Sequence, residues 1–258
     1  LRNYDLGELL RRLTKHGIVI NADKCVFGAP QVEFPGFLVC AQGMKPLPAK
    51  VQAILDYPFP KTYQELRYFV AMLNFYRRFL PGSALTQSIL QNYLRGSKKA
   101  DHRSLCLDRA ARTAFSRCKQ SLANAPLLYH PSPNCTLALT VDASDIAIGA
   151  GLQQWKNKAW QPLGFLSKKL SPAQQKYSTY DRELTAPYMS VKYFRHMLEG
   201  PSFILYTDHK PLTFAFTKKS NNDTPRQVRY LDFIGQYTTD IRHITGAANV
   251  VADGLSRI

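Results

Sequence analysis

The chain has 258 residues, enough for one large domain or two small ones, and 45% of them are hydrophobic, which suffices for packed cores. Its 34 basic residues outnumber 18 acidic ones, and the net charge of +16 favours a polyanionic partner, although ribosomal-type or membrane-surface binding would produce a similar charge. No apolar stretch approaches the roughly 20 residues needed to cross a bilayer, and no signal peptide is visible.

The cysteines point away from two common kinds of structural site. The five of them include no Cys-x-x-Cys pair, which argues against a disulfide framework and a structural zinc site and fits a reducing compartment. We expect most of them to be small buried apolar residues. Residue 1 is Leu, so we also expect the chain to be a piece of a longer protein.

The N-terminal residues predict a helix followed by strands. Within residues 3–16, apolar side chains recur at helical spacing, namely Leu6, Leu9, Leu10 and Leu13. From residue 18 to residue 44, β-branched and aromatic residues are interrupted by glycine and proline, which is typical of strands joined by turns. Pro35 cannot donate to a sheet ladder, so we expect it to disturb a hairpin there.

The pattern becomes helical from residue 48 to residue 81. Residues 50–57 predict a short helix that the Pro-Phe-Pro run at 58–60 ends. Thr62 is a candidate N-cap of a longer helix, with Glu65 completing a capping box. The apolar face of that helix is predicted to be core and consists of Leu66, Phe69, Val70, Leu73, Phe75 and Tyr76.

Beyond this helix the chain predicts a polar loop at residues 95–108, a further helix at 108–124 and a domain boundary near residues 131–133. Residues 136–142 then predict a strand with Leu137, Leu139 and Val141 on one face and Ala138, Thr140 and Asp142 on the other. Antiparallel partners are expected near 146–154 and 160–166. The remaining predicted elements are a helix at 178–198, a strand at 203–207, a helix at 226–237, a strand at 239–244 and a short last helix. This order indicates an α/β fold with a mixed five-stranded sheet and flanking helices.

Four acidic residues stand out in this half of the chain. Asp142 ends Thr-Leu-Ala-Leu-Thr-Val-Asp (136–142), Glu183 lies in Asp-Arg-Glu-Leu (181–184), Asp208 follows Ile-Leu-Tyr-Thr (204–207), and Asp253 lies in Asn-Val-Val-Ala-Asp-Gly-Leu-Ser-Arg (249–257). Carboxylates within apolar stretches are explained if they converge on divalent metal ions as oxygen ligands. Four unrelated surface acids are the alternative.

These motifs resemble the Pol polyprotein of gypsy-type LTR retrotransposons, in its ribonuclease H domain. The similar segments are Val-Asp-Ala-Ser (141–144), Arg-Glu-Leu (182–184), Tyr-Thr-Asp-His-Lys-Pro-Leu (206–212) and residues 249–257. Upstream, Asn-Ala-Asp-Lys-Cys-Val-Phe (21–27) and Asn-Phe-Tyr-Arg-Arg-Phe-Leu-Pro (74–81) resemble the segment that joins the polymerase palm to that nuclease. The resemblance implies the end of a reverse transcriptase palm with its hairpin at residues 1–47, a helical thumb/connection at 48–130 and a ribonuclease H-like domain at 131–258.

The resemblance also implies a reaction, the metal-dependent endonucleolytic hydrolysis of the RNA strand of RNA/DNA hybrids. Asp142 would bridge two Mg²⁺ ions roughly 3.5–4 Å apart, with Mn²⁺ as a possible substitute. Glu183 and Asp208 would complete one side, and Asp253 would help to hold the second ion. The polymerase motif Tyr-x-Asp-Asp is absent from the sequence, so we do not expect this chain to synthesise DNA alone.

The partners implied by the resemblance are the RNA/DNA hybrid, the missing fingers and palm of the reverse transcriptase, and the rest of the Pol polyprotein, with no membrane. The implied location is the cytoplasm, within a virus-like particle.

His243 is a further candidate for the active site. It falls ten residues before Asp253, where related nucleases carry a residue thought to assist product release, and an ordinary partly exposed histidine is the alternative.

Two further groups are candidate contacts to nucleic acid. Candidate readers of the RNA 2′-hydroxyl are Ala143, Ser144, Ser178 and Thr179. Arg77 and Arg78 are candidate phosphate contacts, with a solvated helix end as the alternative.

Three residues depart from the family pattern. Pro187, four residues after Glu183, removes the N–H that would bond the Glu183 carbonyl, which costs roughly 3 kcal/mol in a straight helix. A kink there would move the carboxylate away from its partners. Gly254 replaces a usual alanine and weakens the last helix by up to ~1 kcal/mol. With Pro35, these departures leave open a catalytically decayed relic that acts at most as a nucleic-acid-binding module.

Overall fold

The computed structural model describes residues 3–217 and 223–256, and the chain divides into two compact units, Leu1–Val32 and Glu33–Ile258. The first unit contains helix α1 (Asn3–Lys15). Gly17 follows this helix with a φ of +70°, and the Ile18 N–H donates to the Leu13 carbonyl at 3.0 Å, as in a glycine-ended helix. Among the described residues 18–30 there is a 3₁₀ turn at Ala22–Lys24 and no strand, so the strands expected from residue 18 begin only at residue 31. The three-part division of the chain stays a prediction.

A small sheet contains strands β1 (Gln31–Phe34), β2 (Phe37–Cys40), β3 (Gly43–Pro46) and β4 (Leu128–Tyr129), in the order β1-β2-β3-β4. The expected disturbance at Pro35 is wrong. Pro35 and Gly36 form the turn between β1 and β2, and the φ of +85° at Gly36 fits a type II turn, whose first central position suits proline. The Tyr76 hydroxyl donates to the Gly36 carbonyl at 3.0 Å, which ties this turn to the following helices.

The helical segment comprises α2 (Pro48–Leu55), α3 (Tyr63–Phe75), α4 (Ser83–Tyr93) and α5 (Arg109–Ala123). Thr62 caps α3 by accepting from the Glu65 N–H at 3.2 Å, but the Glu65 carboxylate accepts from Lys61 at 2.6 Å and not from Thr62, so the predicted capping box is only half formed. The predicted core face is buried except for Phe75, which is 52% exposed. Helix α4 was not predicted from the sequence.

The second sheet has five strands, β5 (Thr136–Ala143), β6 (Ala147–Lys156), β7 (Ala159–Lys169), β8 (Phe203–Thr207) and β9 (Ile241–His243). Their order is β7-β6-β5-β8-β9, with β5, β6 and β7 antiparallel and β8 and β9 parallel to β5. The predicted mixed five-stranded sheet with flanking helices is confirmed. The last strand has three residues rather than the six expected at 239–244.

Helices cover both faces of this sheet. They are α7 (Thr179–Leu198), α8 (Pro225–Gly235) and α9 (Val250–Ser256), and the short helix α6 (Pro172–Gln175) precedes α7 in the chain. The α7 and α8 side chains share a core with Leu139 and Val141 of β5. Helix α9 lies against the other face, where Gly149 leaves room for the helix backbone. Phe165 and Leu255 belong instead to the core of the helical segment, so the second sheet and the helical segment pack together.

The cysteines differ from the expectation. Cys118 is buried, whereas Cys106 is exposed and the other three are half-buried, so burial of most cysteines was a wrong prediction. Burial in the helical core raises the pKa of the Cys118 thiol to about 12. In the described part of the chain, no helix is both long enough and apolar enough to span a membrane.

Candidate metal centre

Two neighbouring parallel strands bring Asp142 and Asp208 to the same edge of the sheet. Asp142 lies near the carboxyl end of β5, and Asp208 follows β8 directly. Because β5 and β8 pair in parallel, their carboxyl ends point the same way, which is where ligands usually bind in α/β sheets. Asp142 is only 1% exposed, and Asp208 is half-buried.

Helix α7 supplies the third carboxylate. Ser178 caps this helix by accepting from the Asp181 N–H at 3.1 Å, and Glu183 follows in its second turn. Glu183 is buried together with Leu184 and Pro187, because this side of the helix faces the sheet. The helix therefore presents a carboxylate to the strand ends.

The three carboxylates meet. Oxygen atoms of Asp142, Glu183 and Asp208 all lie within 4.8 Å of one another. Three anionic groups at this distance repel one another, and burial adds a desolvation cost, unless a cation neutralises them. A donor set made of carboxylate oxygens suits hard divalent cations such as Mg²⁺ or Mn²⁺. The acidic triad is thus positioned to bind a metal ion.

Helix α9 closes one side of the triad. The Ser256 hydroxyl donates to Asp142 Oδ2, and the Asn249 side-chain amide donates to the Val141 carbonyl at 3.3 Å. Asn249 is completely buried, so this bond ties the start of α9 to the strand that carries Asp142. Asp253 lies on the same helix but is not one of the three residues in the close group.

The loop before α9 approaches the triad closely. A Cβ at Gly246, in this loop, would lie 3.7 Å from Asp208 Oδ2. Strand β6 approaches α9 as closely, because a Cβ at Gly149 would lie 2.4 Å from the Ala252 carbonyl oxygen. Sequence reasoning did not single out Asn249, Ser256 or Gly149. The motif at residues 249–257 contains the first two, so position within the motif was the one signal for them. Gly149 carried no signal, because its importance depends on the pairing of β6 with Asp142.

The expected disruption at Pro187 is wrong. Helix α7 continues from Thr179 to Leu198 with Pro187 inside it, and Glu183 remains within 4.8 Å of its two partners. The helix tolerates the missing N–H donor without displacing the carboxylate. Gly254 likewise lies within α9, where a Cβ would meet no atom within 4 Å.

Two histidines lie near this edge of the sheet. His243 is exposed at the end of β9. His209 follows Asp208 and is half-buried, with its ring 6.0 Å from that of Tyr180. Burial lowers the pKa of His209, and the adjacent Asp208 carboxylate partly opposes that shift.

The candidate 2′-hydroxyl readers have local structural contacts. The Ser144 hydroxyl accepts from the Ala147 N–H at 3.0 Å and so shapes the turn between β5 and β6. Ser178 is the N-cap of α7, and Thr179 is exposed beside it. Ala143, at the end of β5, is half-buried.

The two candidate phosphate contacts separate in the structure. Arg77 and Arg78 lie in a 3₁₀ turn, Arg77–Phe79, that follows α3. The Arg77 guanidinium lies over the ring of Tyr193 on α7, 5.4 Å from its centre, whereas Arg78 lies over Phe79, 5.8 Å from its centre. Arg77 thus faces α7, the helix that carries Glu183.

Comparison with known proteins agrees with this arrangement. Residues 107–205 match the model of an RNase H-like domain found in reverse transcriptase. The retrovirus-related Pol polyprotein from transposon opus of Drosophila melanogaster is 35% identical over 261 residues, which cover 98% of this chain and 26% of that protein. The transposon Tf2-3 polyprotein of Schizosaccharomyces pombe is 34% identical over 97% of this chain and 19% of its own length. The chain therefore spans about a quarter or less of these relatives.

Solved structures show the same fold. The foamy viral protease-reverse transcriptase in complex with RNA/DNA hybrid matches 100% of this chain and 35% of its own, with a TM-score of 0.72 and 14% identity. The same enzyme in complex with dsDNA matches 93% of this chain and 50% of its own, with a TM-score of 0.69 and 14% identity. At this identity the likeness concerns the fold alone.

Proposed function

We propose that the chain is a metal-dependent endonuclease that hydrolyses the RNA strand of RNA/DNA hybrids, because it is related over almost its whole length to retrotransposon Pol polyproteins and contains an RNase H-like domain. The observation that carries this proposal is the meeting of three carboxylates at the strand ends, two of them buried. Such a group is costly in a protein that does not bind a cation. One structural neighbour was solved in complex with an RNA/DNA hybrid, which agrees with the proposed substrate.

In this proposal each acidic residue has a distinct role. Asp142, central and buried, would be the shared ligand of the divalent ions, Glu183 and Asp208 would be further ligands, and Asp253 would contribute from α9. Bound divalent ions supply an activated water and stabilise the leaving 3′ oxygen. Ser256 orients the Asp142 carboxylate by donating to Oδ2. His243, exposed on β9, assists product release.

The partners follow from the same premise. The substrate is a hybrid duplex that contacts the basic surface of the chain, which carries a net charge of +16. The other partners are the remaining parts of a Pol polyprotein, since the relatives are several times longer than this chain.

The test compares cleavage of a labelled RNA/DNA hybrid by the full chain and by two matched variants. Asp142→Asn should lower the single-turnover rate by at least about 100-fold, and a chelator should abolish cleavage. Asp145→Asn is the control, because Asp145 lies three residues away on the exposed turn and pairs with Arg182 at 2.6 Å. Calorimetry with Mn²⁺ should show binding to the unmodified protein and much weaker binding to Asp142→Asn.

Two results would contradict the proposal. Cleavage that survives both the chelator and Asp142→Asn would remove the metal centre from the reaction. Hybrid binding without any cleavage by the unmodified protein would favour a binding module that retains the fold without turnover.

A further inference from the structure

A cavity of about 360 Å³ lies where the helical segment meets the edge of the second sheet. Its walls are the end of edge strand β7, the middle of α7 and the turn Arg77–Phe79. Three cationic side chains line it, Arg77, Lys168 and Lys192, and each comes from a different element. These residues are distant in sequence, so only the fold brings them together.

The charge of this cavity is one-sided. Within the described ranges 3–217 and 223–256, no carboxylate lines it, and none of the ion pairs involves Arg77, Lys168 or Lys192. Three like charges converging on one cavity repel one another, and a bound anion relieves that repulsion. The cavity therefore has the electrostatics of an anion site.

Aromatic rings orient part of the cavity lining. The Arg77 guanidinium lies over the Tyr193 ring at 5.4 Å, which orients its donors while leaving the side chain exposed. Tyr188, on the same wall, stacks on Tyr230 of α8 with ring centres 4.0 Å apart and an angle of 6°. These contacts fix the Arg77 guanidinium and the Tyr188 ring, so one cation and one wall of the cavity are preorganised.

The position of the cavity relates it to the acidic triad. Across the sheet, Asp142 pairs with Gly149, and Gly149 pairs with Ser167, the neighbour of Lys168. Strands are spaced about 4.8 Å apart, so the backbone of Ser167 lies roughly 10 Å across the sheet from that of Asp142. Lys168 follows Ser167 and pairs with Ile148, on the sheet face that α7 covers. A duplex at this edge of the sheet can therefore contact the cavity and the acidic triad at the same time.

We propose that Arg77, Lys168 and Lys192 bind one backbone phosphate of the nucleic acid whose scissile phosphate lies at the acidic triad. The identity of the ligand rests on the proposed function. The cluster fixes the register of the duplex on the enzyme, because a phosphate held at a set distance determines which bond reaches the carboxylates. Arginine supplies paired donors for the phosphate oxygens, and the two lysines supply point charges.

The test measures how hybrid affinity depends on salt. Binding of the hybrid is measured with the Asp142→Asn protein in Mg²⁺, so that the substrate is not cleaved. Lys168→Gln, Lys192→Gln and the two substitutions together are introduced into this protein. One shared phosphate predicts that the double variant reduces the slope of log affinity against log salt by about 0.9, and that neither single variant reduces it by more than this. Two independent phosphate contacts predict a reduction of about 1.8 in the double variant.

Lys158→Gln is the matched control. Lys158 lies in the turn of the same β6–β7 hairpin, ten residues from Lys168 and thus roughly 33 Å away along the strand. Its substitution removes the same charge and should leave the slope unchanged. Circular dichroism melts should show that all variants fold, because Lys168 and Lys192 are exposed.

The outcomes separate this proposal from the proposed function. An unchanged slope, a reduction near 1.8 in the double variant, or an equal effect of Lys158→Gln would overturn the phosphate site even if the unmodified enzyme cleaves the hybrid. Failure of the unmodified protein to cleave would overturn the nuclease assignment, while a slope change confined to the cluster would still support the site. Absence of hybrid binding by the Asp142→Asn protein would overturn the site.

Discussion

Gly149→Ala tests whether α9 packs against strand β6, which pairs with the strand that carries Asp142. Gly149 pairs with Asp142 across the β5–β6 ladder, and α9 passes directly over it. An alanine Cβ would lie 2.4 Å from the Ala252 carbonyl oxygen and 2.5 Å from the Leu255 Cβ, where ordinary contacts begin at 3.4 Å. Both contacts involve the helix itself, so α9 must move by about 1 Å.

The expected cost follows from that movement. Overpacking of this kind costs about 1–3 kcal/mol, and a loss of about 2 kcal/mol lowers the Tm of a chain of this size by about 4–8 °C. The shift also moves Ser256 from Asp142, so we expect Mn²⁺ affinity to fall by at least about tenfold, or ~1.4 kcal/mol. Calorimetric Mn²⁺ titration and thermal melts of the full chain measure both effects.

Gly254→Ala is the matched control on the same helix. A Cβ there meets nothing within 4 Å, so alanine should add up to ~1 kcal/mol of helix stability and raise the Tm by about 2–4 °C. Its Mn²⁺ affinity should equal that of the unmodified chain. If Gly149→Ala melts and binds Mn²⁺ as the unmodified chain does, α9 does not lie where the structure has it, and the reasoning fails.

Three further changes test separate features. Pro187→Ala restores a helix hydrogen bond worth up to about 3 kcal/mol and loses two buried methylenes worth about 1.6 kcal/mol. Chemical denaturation should therefore show a free energy of unfolding about 1 kcal/mol higher. A lower free energy of unfolding would mean that the proline fits a bend in the helix. Asn249→Ala removes a buried bond to the Val141 carbonyl and should lower the free energy of unfolding by about 1–3 kcal/mol, whereas an unchanged denaturation midpoint would show that the bond contributes nothing. Burial raises the pKa of the Cys118 thiol in the folded chain from 9.0 to about 12, so the contribution of the neutral thiol to stability is complete below pH 9 and is lost as the pH rises from 9 to 12. At about pH 8 a thiol reagent should label Cys106 quickly and Cys118 only on unfolding, and rapid labelling of Cys118 would contradict its burial.

The elements that were predicted well from the sequence have local signals. Helix α7 was predicted at residues 178–198 and runs from Thr179 to Leu198, because Ser178 provides a cap and the apolar stripe has helical spacing. Strand β5 was predicted from the alternation of Leu137, Leu139 and Val141 with smaller or polar residues, and these three side chains share the core with α7. Its other face is also buried, which the sequence pattern did not predict. In both cases the residues that set the element lie within it.

Helix α4 was missed because its signals come from elsewhere in the fold. Gly82 precedes it in a left-handed conformation without a side-chain cap, and Gln87 and Ser88 are buried although both are polar. A pattern of apolar residues treats such positions as surface. The helix is placed by tertiary contacts, including the bond from the Ala84 N–H to Ser167 Oγ at 3.1 Å.

The same distinction applies to the metal centre. The resemblance indicated Asp142, Glu183 and Asp208 one at a time, and the structure brings their oxygen atoms together. The contributions of Gly149 and Ser256 depend on strand register and on the face that α9 covers, and neither can be read from neighbours in sequence. For the same reason the cluster of Arg77, Lys168 and Lys192 could not be recognised before the fold was known.

Pro187 shows why a local penalty does not decide the conformation of a buried helix. The missing hydrogen bond costs roughly 3 kcal/mol, which would break an isolated helix. Helix α7, however, also buries Leu184, Val191, Phe194 and Leu198, and each such side chain contributes about 1.5–3 kcal/mol on burial. Four of them contribute about 6–12 kcal/mol, which exceeds the penalty at least twofold. The helix therefore remains continuous, and Glu183 stays beside Asp142 because packing further along the helix holds it there.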